Sequence, residues 1–255
     1  MRIATWNVNS VRARLPRVLA WLDSVKPDVV CLQETKCVDE QFPREPIEEL
    51  GYSIACHGQK TYNGVAILAR GAIEDVQRGL VGDGPDAQAR AIAAQVGEYL
   101  LLDLYVVNGK EVGDPKYTYK LAWLERVRAT IAERFDLSEK VVVTGDFNIT
   151  FDDRDVHDPE AWREKILCST PEREALARIT ALGLHDALRK FTDAPGHHTW
   201  WDFRTKAFER DLGLRIDHVL LSASALEACT GLEVDRDERA REKPSDHAPV
   251  IATFR

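Results

Sequence analysis

Apolar residues in this chain fall mostly into short unbroken runs bounded by Gly, Pro, Asn and Asp, the signature of buried strands. Runs of this kind cover Arg2 to Trp6, Val29 to Gln33, Lys140 to Thr144 and Pro249 to Phe254. Tyr52 to His57 and Val65 to Arg70 predict a strand pair around the turn-rich segment 58–64, and Ala91 to Val96 and Tyr99 to Val107 a pair joined at Gly97-Glu98. Thr199 to Asp202, Leu214 to Ser222 and Leu226 to Val234 complete the predicted strands. Helical spacing appears in four places. It begins at Pro16, with Val18, Leu19, Leu22 and Val25 on one face; it covers Pro43 to Leu50, closed by Gly51. From Lys116 to Phe135 the apolar stripe is Leu121, Leu124, Val127, Ile131 and Phe135, and Pro171 to Leu182 ends at Gly183. A polar loop through Asp152, Asp153, Arg154, Asp155 and Asp158 is expected between strand and helix.

The two halves rhyme. Arg2-Ile3-Ala4-Thr5-Trp6-Asn7 and Val142-Val143-Thr144-Gly145-Asp146-Phe147-Asn148 are both strands that run into Asn, and each half carries an amphipathic helix between runs of strands. This predicts an α/β (α+β) chain of two stacked mixed sheets flanked by helices, a four-layer α/β/β/α sandwich. No Pro/Gly/Ser linker divides it, so residues 1–255 are expected to form a single catalytic domain with two pseudo-symmetric halves. Active residues would sit at strand ends, on the rim where the sheets meet.

Composition narrows the class. With 255 residues and 44% hydrophobic positions the chain can bury a large core. A formal net charge of −8 gives no global basic footprint, which argues against simple coating of nucleic acid but leaves room for a local basic surface. Five cysteines, Cys31, Cys37, Cys56, Cys168 and Cys229, lack paired metal spacing and are read as reduced thiols. The apolar start is too short for a signal peptide and no run approaches membrane-spanning length. The expectation is a soluble, cytoplasmic, monomeric protein.

The chemistry is concentrated where the strands stop. Lys243-Pro244-Ser245-Asp246-His247-Ala248-Pro249-Val250 sets an acid and an imidazole at the mouth of an apolar strand, which is costly unless both are used or paired. An isolated Asp-His would read as an ordinary strand cap. Here Asn7, Glu34, Asp146, Asn148 and Asp217 occupy comparable places, and Asp217 lies inside the apolar run Leu214 to Leu221, where an ionised carboxylate needs a partner. Asp, Glu and Asn oxygens without a Cys or His cluster suit a hard cation such as Mg²⁺. A hard cation beside a carboxylate-held histidine suits phosphodiester hydrolysis: His247 orients or deprotonates water, and Asp217 holds the imidazole.

Trp6-Asn7-Val8-Asn9-Ser10, Leu32-Gln33-Glu34-Thr35-Lys36, Asn63-Gly64-Val65-Ala66, Gly145-Asp146-Phe147-Asn148, Arg215-Ile216-Asp217 and Ser245 to Val250 together resemble the exonuclease III family of abasic-site endonucleases, within the endonuclease/exonuclease/phosphatase superfamily. The resemblance runs the length of the chain. It implies a Mg²⁺-dependent DNA repair nuclease, with Mn²⁺ as a substitute, that cuts 5′ to abasic sites in double-stranded DNA and trims blocked 3′ ends. By matching position, Asn7, Glu34, Asp146, Asn148, Asp246 and His247 would surround the metal, with Glu34 the main ligand. Tyr105, Asp146, Asn148, Asp217 and His247 would be catalytic, Arg90 would contact phosphate, and Asn108, where the family has an amide side chain, would bind DNA. One position departs from the family: Val107 stands where a proline usually stiffens the loop between Tyr105 and Asn108.

The DNA-facing candidate is the segment from His197 to Arg210, where aromatic and basic residues alternate as stacking and phosphate contact require. It includes Trp200 and Arg204, and at least one of Trp200 and Trp201 is expected in the core. The resemblance implies that Trp200, Leu214 and Ile216 wall an apolar pocket for an extruded sugar lacking its base. Arg236, Arg239, Arg241 and Lys243 read as a solvated loop, and Lys36, Lys60, Lys110, Lys116 and Lys120 are unranked candidates for phosphate contact. Two rivals remain at this level: a relative hydrolysing a small phosphodiester or phospholipid, and a non-catalytic DNA-binding module.

Overall fold

The chain begins with β1 (Arg2–Asn7), α1 (Leu15–Val25), β2 (Val29–Gln33), α2 (Arg44–Glu48), β3 (Ser53–His57), β4 (Val65–Ala69), β5 (Glu74–Arg78), β6 (Ala91–Val96) and β7 (Tyr99–Tyr105). It continues through α3 (Pro115–Arg134), β8 (Lys140–Asp146), α4 (Pro159–Trp162), α5 (Thr170–Thr180), β9 (His185–Asp186), β10 (Asp217–Leu221), α6 (Ala223–Ala228), β11 (Cys229–Val234), α7 (Arg236–Arg239) and β12 (Val250–Phe254). This computed structural model describes residues 1–84 and 87–255.

The strands form two mixed six-stranded sheets, in the orders β11-β12-β1-β2-β4-β3 and β5-β6-β7-β8-β10-β9. Each sheet has one parallel pair at its centre, β1 with β2 and β7 with β8, and antiparallel neighbours on either side. The same order of pairings thus runs through both sheets, with β1 in one taking the place of β7 in the other. Parallel strands need helical crossovers, and α1 and α3 supply them. Both start at a proline and end where their apolar stripe ends. Asp114 caps α3 by accepting from the Lys116 N–H (2.8 Å), and Lys26, left-handed at φ 51°, closes α1.

Alternate side chains of the strands build three layers of core. Ile3, Val29, Ile67, Leu101, Val142 and Val219 meet between the sheets. Val18, Trp21 and Leu22 of α1 cover one outer face, and Trp123, Val127 and Ile131 of α3 with Leu176 and Ile179 of α5 cover the other. The expected four-layer α/β/β/α sandwich is the observed architecture. Among the described residues no helix is long and apolar enough to cross a membrane.

The structure departs from the sequence pattern at several elements. Thr199 to Asp202 is not a ladder strand: Trp200 makes only isolated bridges to Leu214 and His247, and regular pairing of β10 begins at Asp217 rather than Leu214. Leu226 belongs to α6, whose cap is the Ser222 side chain, so the strand there starts at Cys229. The polar loop after Asn148 is no solvated tether. Asp155 is buried and accepts from Arg215 and Arg189, and Arg215 also binds Asp186. The hydrophilic β5 is a sheet edge, where alternation carries no signal. The segment expected as a solvated basic loop contains α7, in which Arg239 is buried.

Candidate active site

Five strand ends converge on one rim. β1 delivers Asn7, β2 runs into Glu34, β7 ends at Tyr105, β8 at Asp146, and β10 starts at Asp217. The loop entering β12 brings Asp246 and His247. Because β1 and β2 are the parallel pair of one sheet and β7 and β8 that of the other, the site straddles the seam between the sheets.

Asn7 ties the halves together. Its Nδ2 donates to Glu34 Oε1 (2.9 Å) and to Asp146 Oδ2 (2.9 Å). Its Oδ1 accepts from the Asn9 N–H (3.0 Å), so in this orientation the amide oxygen is already engaged. Lys36 Nζ lies 2.7 Å from Glu34 Oε2 and donates to Asn9 Oδ1 (2.6 Å). Asp246 sits alongside, accepting from Asn9 Nδ2 (2.9 Å) and from the Trp200 indole (3.1 Å). Burial would raise its carboxyl, but the adjacent His247 and these two donors hold it below the usual range.

On the other side, His247 Nδ1 faces Asp217 Oδ2 (2.8 Å) and Nε2 looks toward Asp146 Oδ2 (3.7 Å). Burial alone would lower the imidazole; the facing carboxylates of Asp217 and Asp146, then Asp246, outweigh it and raise it to about 10. Burial also pushes the Asp146 carboxyl up to about 7 against the pull of His247, with Asp217 and Glu34 adding to the rise. Ser245 fixes the loop, its hydroxyl donating to Asn7 O (2.6 Å) and accepting from the His247 N–H (3.2 Å).

Asn148, at φ 50°, turns its backbone N–H onto Asp146 Oδ1 (2.9 Å). Its side-chain oxygen accepts from Asn108 Nδ2 (3.0 Å) and its Nδ2 donates to Val106 O (3.1 Å). Tyr105 is half-buried near Glu34, and the Arg90 guanidinium lies over its ring at 4.6 Å. Burial, and then the charges of Glu34 and Asp146, hold the Tyr105 phenol well above its ordinary value, so it stays a donor. The loop that carries Val107 has a support outside itself. Lys120 Nζ donates to Asn108 O (3.1 Å) and Asn148 O (2.7 Å), fixing from below what a proline would stiffen from within.

The structure therefore brings together Asn7, Glu34, Tyr105, Asn108, Asp146, Asn148, Asp217, Asp246 and His247, with Arg90 at the margin. Trp200 joins them through Asp246. Leu214 and Ile216 lie lower: they are 0% and 1% exposed, packed with Val156, Leu167 and Cys168. Arg204 is held by its own neighbour Asp202 on an exposed turn. Lys120 cannot contact phosphate: it is fully buried and paired with Glu172. Thr199 was invisible to the pattern. Its hydroxyl accepts two backbone N–H groups, from Ile216 and Asp217 (3.1 Å each), and so must donate its proton to Asp217 Oδ2 (2.6 Å).

These donors fit a hard cation. Glu34, Asp146 and Asp246 gather at one rim, where Lys36 contacts Glu34 and the His247 imidazole faces Asp146, and Asp146, Asp217 and His247 present ligand atoms within 4.8 Å of one another. All but the imidazole are oxygens.

Residues 4–247 match the model of the endonuclease/exonuclease/phosphatase family. The chain is 36% identical to exodeoxyribonuclease III of Haemophilus influenzae, over the full length of both. Among solved structures it is similar to the 3′ phosphatase NExo from Neisseria bound to a product DNA hairpin, at 42% identity and TM-score 0.96, covering 100% of this chain and 99% of that one. It is likewise similar to an AP endonuclease from Archaeoglobus fulgidus, at 38% identity and TM-score 0.96, with the same coverage.

Proposed function

The chain belongs to the endonuclease/exonuclease/phosphatase family, a metal-dependent group, in its exodeoxyribonuclease III branch, and on that premise we propose that it hydrolyses phosphodiesters of duplex DNA 5′ to abasic sites and trims blocked 3′ ends, as a monomer in the cytoplasm. The observation that carries the reading is the pairing across the seam: Asp146 Oδ2 lies between Asn7 Nδ2 (2.9 Å) and His247 Nε2 (3.7 Å), with Asp217 behind the imidazole.

Mg²⁺, or Mn²⁺ in its place, held by Glu34 with Asp246 and Asn7 beside it, would neutralise phosphate charge and stabilise the leaving oxygen. The remaining roles fall to the chain. His247, kept cationic by Asp217, donates through Nε2 to a phosphate oxygen. Tyr105 and Asn108 donate from the β7 side, and the Arg90 charge lies behind them. Asp146 has both oxygens aimed by Asn7 and by the Asn148 N–H, and takes the proton of the attacking water. Incubating a duplex with one abasic site, with Mg²⁺ and with chelator, tests this. Metal-dependent cleavage leaving a 3′-hydroxyl is expected, and hydrolysis of a choline or inositol phosphodiester with none of abasic DNA would transfer the chain to the small-substrate rival.

A second reading of the substrate has its own support. Leu214 and Ile216, the residues expected to wall a pocket for an extruded sugar, are covered by Val156 and the segment around Cys168. A covered wall favours chain ends, which need no extrusion, over internal abasic sites. Relative kcat/KM on a 3′-phosphate end and on an internal abasic site separates the two.

A further inference from the structure

Next to the catalytic rim, arginines and aromatic rings stack alternately. The Arg236 guanidinium lies 4.9 Å from the Trp201 ring and 5.7 Å from Phe208, and Arg239 lies 5.0 Å from Phe208 and 5.0 Å from Phe203. Trp201 and Arg239 are buried, at 0% and 7% exposure, but Phe203, at the end of the stack, is 51% exposed. A large apolar ring left this open on a fixed support is a platform without a visible occupant.

Phe203 borders a cleft of about 480 Å³, lined also by Lys206, Phe208, Arg239, Arg241 and Pro244. Arg239 has an unusual position in it. Its NH2 donates to Trp201 O (3.2 Å), its Nε has no partner, and among the described residues no carboxylate lies within ion-pair distance. Asp246 acts on it only from beyond contact; a buried guanidinium with no acid in contact is costly, and an anion in the cleft would relieve it. The cleft also carries Asp202, paired with Arg204, and Glu209, paired with Lys206, so among the described residues Arg241 is the lining cation besides Arg239 that no acid holds. The cleft adjoins the active site: the Trp201 N–H donates to Asp246 O (3.0 Å), and Pro244 precedes His247 by three residues.

We propose that this cleft is a subsite for one unpaired nucleotide of the uncleaved DNA strand, its base stacked on Phe203 and its phosphate held by Arg239 and Arg241. The inference rests on the DNA nuclease reading above and extends it. Within a duplex both faces of a base are covered by its neighbours, so an open ring selects bases that have lost their stack. Trimming a 3′ end generates such bases, since each nucleotide removed leaves the one opposite without a partner. A phenyl face accepts any base, as a sequence-independent nuclease requires.

The test uses two duplexes of equal sequence, one blunt and one with a recessed 3′ end, in chelator so that neither is cut. With 5-iodouracil at the first unpaired position of the overhang, irradiation should crosslink the wild-type protein at Phe203. F203A should bind the recessed duplex about 5- to 100-fold more weakly, the range of one lost base–aromatic stack. Its affinity for the blunt duplex should stay within about twofold on the same reasoning. R241A, on an exposed side chain, should show the same selectivity with a smaller loss. Crosslinking elsewhere, crosslinking only from the cleaved strand, or equal losses on both duplexes would overturn the subsite. Failure of the nuclease reading looks different: a small-phosphodiester enzyme would bind neither duplex, and a non-catalytic module would bind both but cut neither once Mg²⁺ is restored.

Discussion

Asp217 concentrates two hydrogen bonds on one oxygen: Oδ2 lies 2.8 Å from His247 Nδ1 and 2.6 Å from the Thr199 hydroxyl. Its Oδ1 has no partner and is buried. The carboxylate is thus aimed, and its aim fixes which nitrogen of His247 faces the reaction. Replacing His247 by Ala should lower kcat by roughly 10²–10⁴-fold, the contribution of a positioned acid or base. D217N should lower it as well, since a neutral amide no longer holds the imidazolium. Single-turnover rates within tenfold of wild type for H247A would remove the imidazole from the mechanism.

Glu34 shares its side of the seam with Asp246, but it is the proposed main ligand. E34Q should raise the Mg²⁺ concentration for half-maximal cleavage by about tenfold or more, as loss of ligand charge does in metal sites. A titration that superimposes on wild type would reassign the metal to the Asp146, Asp217 and His247 group.

Lys120 and Glu172 are a fully buried ion pair under the catalytic loops. K120M should destabilise the fold by about 3–5 kcal/mol in urea, because Glu172 is left charged and unpaired. K120M with E172Q should recover part of that loss. The double variant should still show a reduced kcat, since the carbonyls of Asn108 and Asn148 have lost their common donor. If the double variant is as unstable as the single one, the penalty lies in packing and not in charge.

Stability should depend on pH through His218. Burial, reinforced by the Arg215 guanidinium, pulls its imidazole down to about 4. Below the unfolded value of about 6.5 the unfolded chain binds the proton first. The contribution is therefore complete above pH 6.5 and is lost as the pH falls toward 4. H218Q should flatten the dependence of urea stability in that window, and equal slopes for both proteins would falsify it.

Cleavage should weaken as salt rises from low to physiological levels, because phosphate contacts release counterions. The net charge of −8 makes this a sharp test. Only a local basic surface can produce it, and a flat profile would mean that the DNA backbone is not held by charge.

Much of the candidate site was legible because its polar groups interrupt apolar runs. Asn7, Glu34, Asp146 and Asp217 each end or begin a strand, and a buried strand makes its polar terminus conspicuous. What escaped were groups whose work is to hold others. Thr199 is unremarkable in a strand-like run, and its role depends on a carboxylate eighteen residues away. Lys120 left a trace that could have been read: it lies four residues before Leu124 on the inward stripe of α3, where an unpaired charge would not be tolerated. The fold was read at its centre and missed at its margins. The edge strands β5 and β9 are too polar or too short to alternate, and α6 hid inside an apolar run because it is only six residues long. Arg239 was misread for the opposite reason, since its partners are ring faces rather than acids.

The strand that follows His247 does not lie at an edge of its sheet. β12 is inserted between β11 and β1 and supplies the second neighbour of the strand that carries Asn7. Until it docks, that sheet is split and no imidazole stands opposite Asp146. On the proposed role of His247, a chain whose β12 has not docked should therefore be inert. Damage that frees β12 would on that account disarm the enzyme rather than leave it cutting without control.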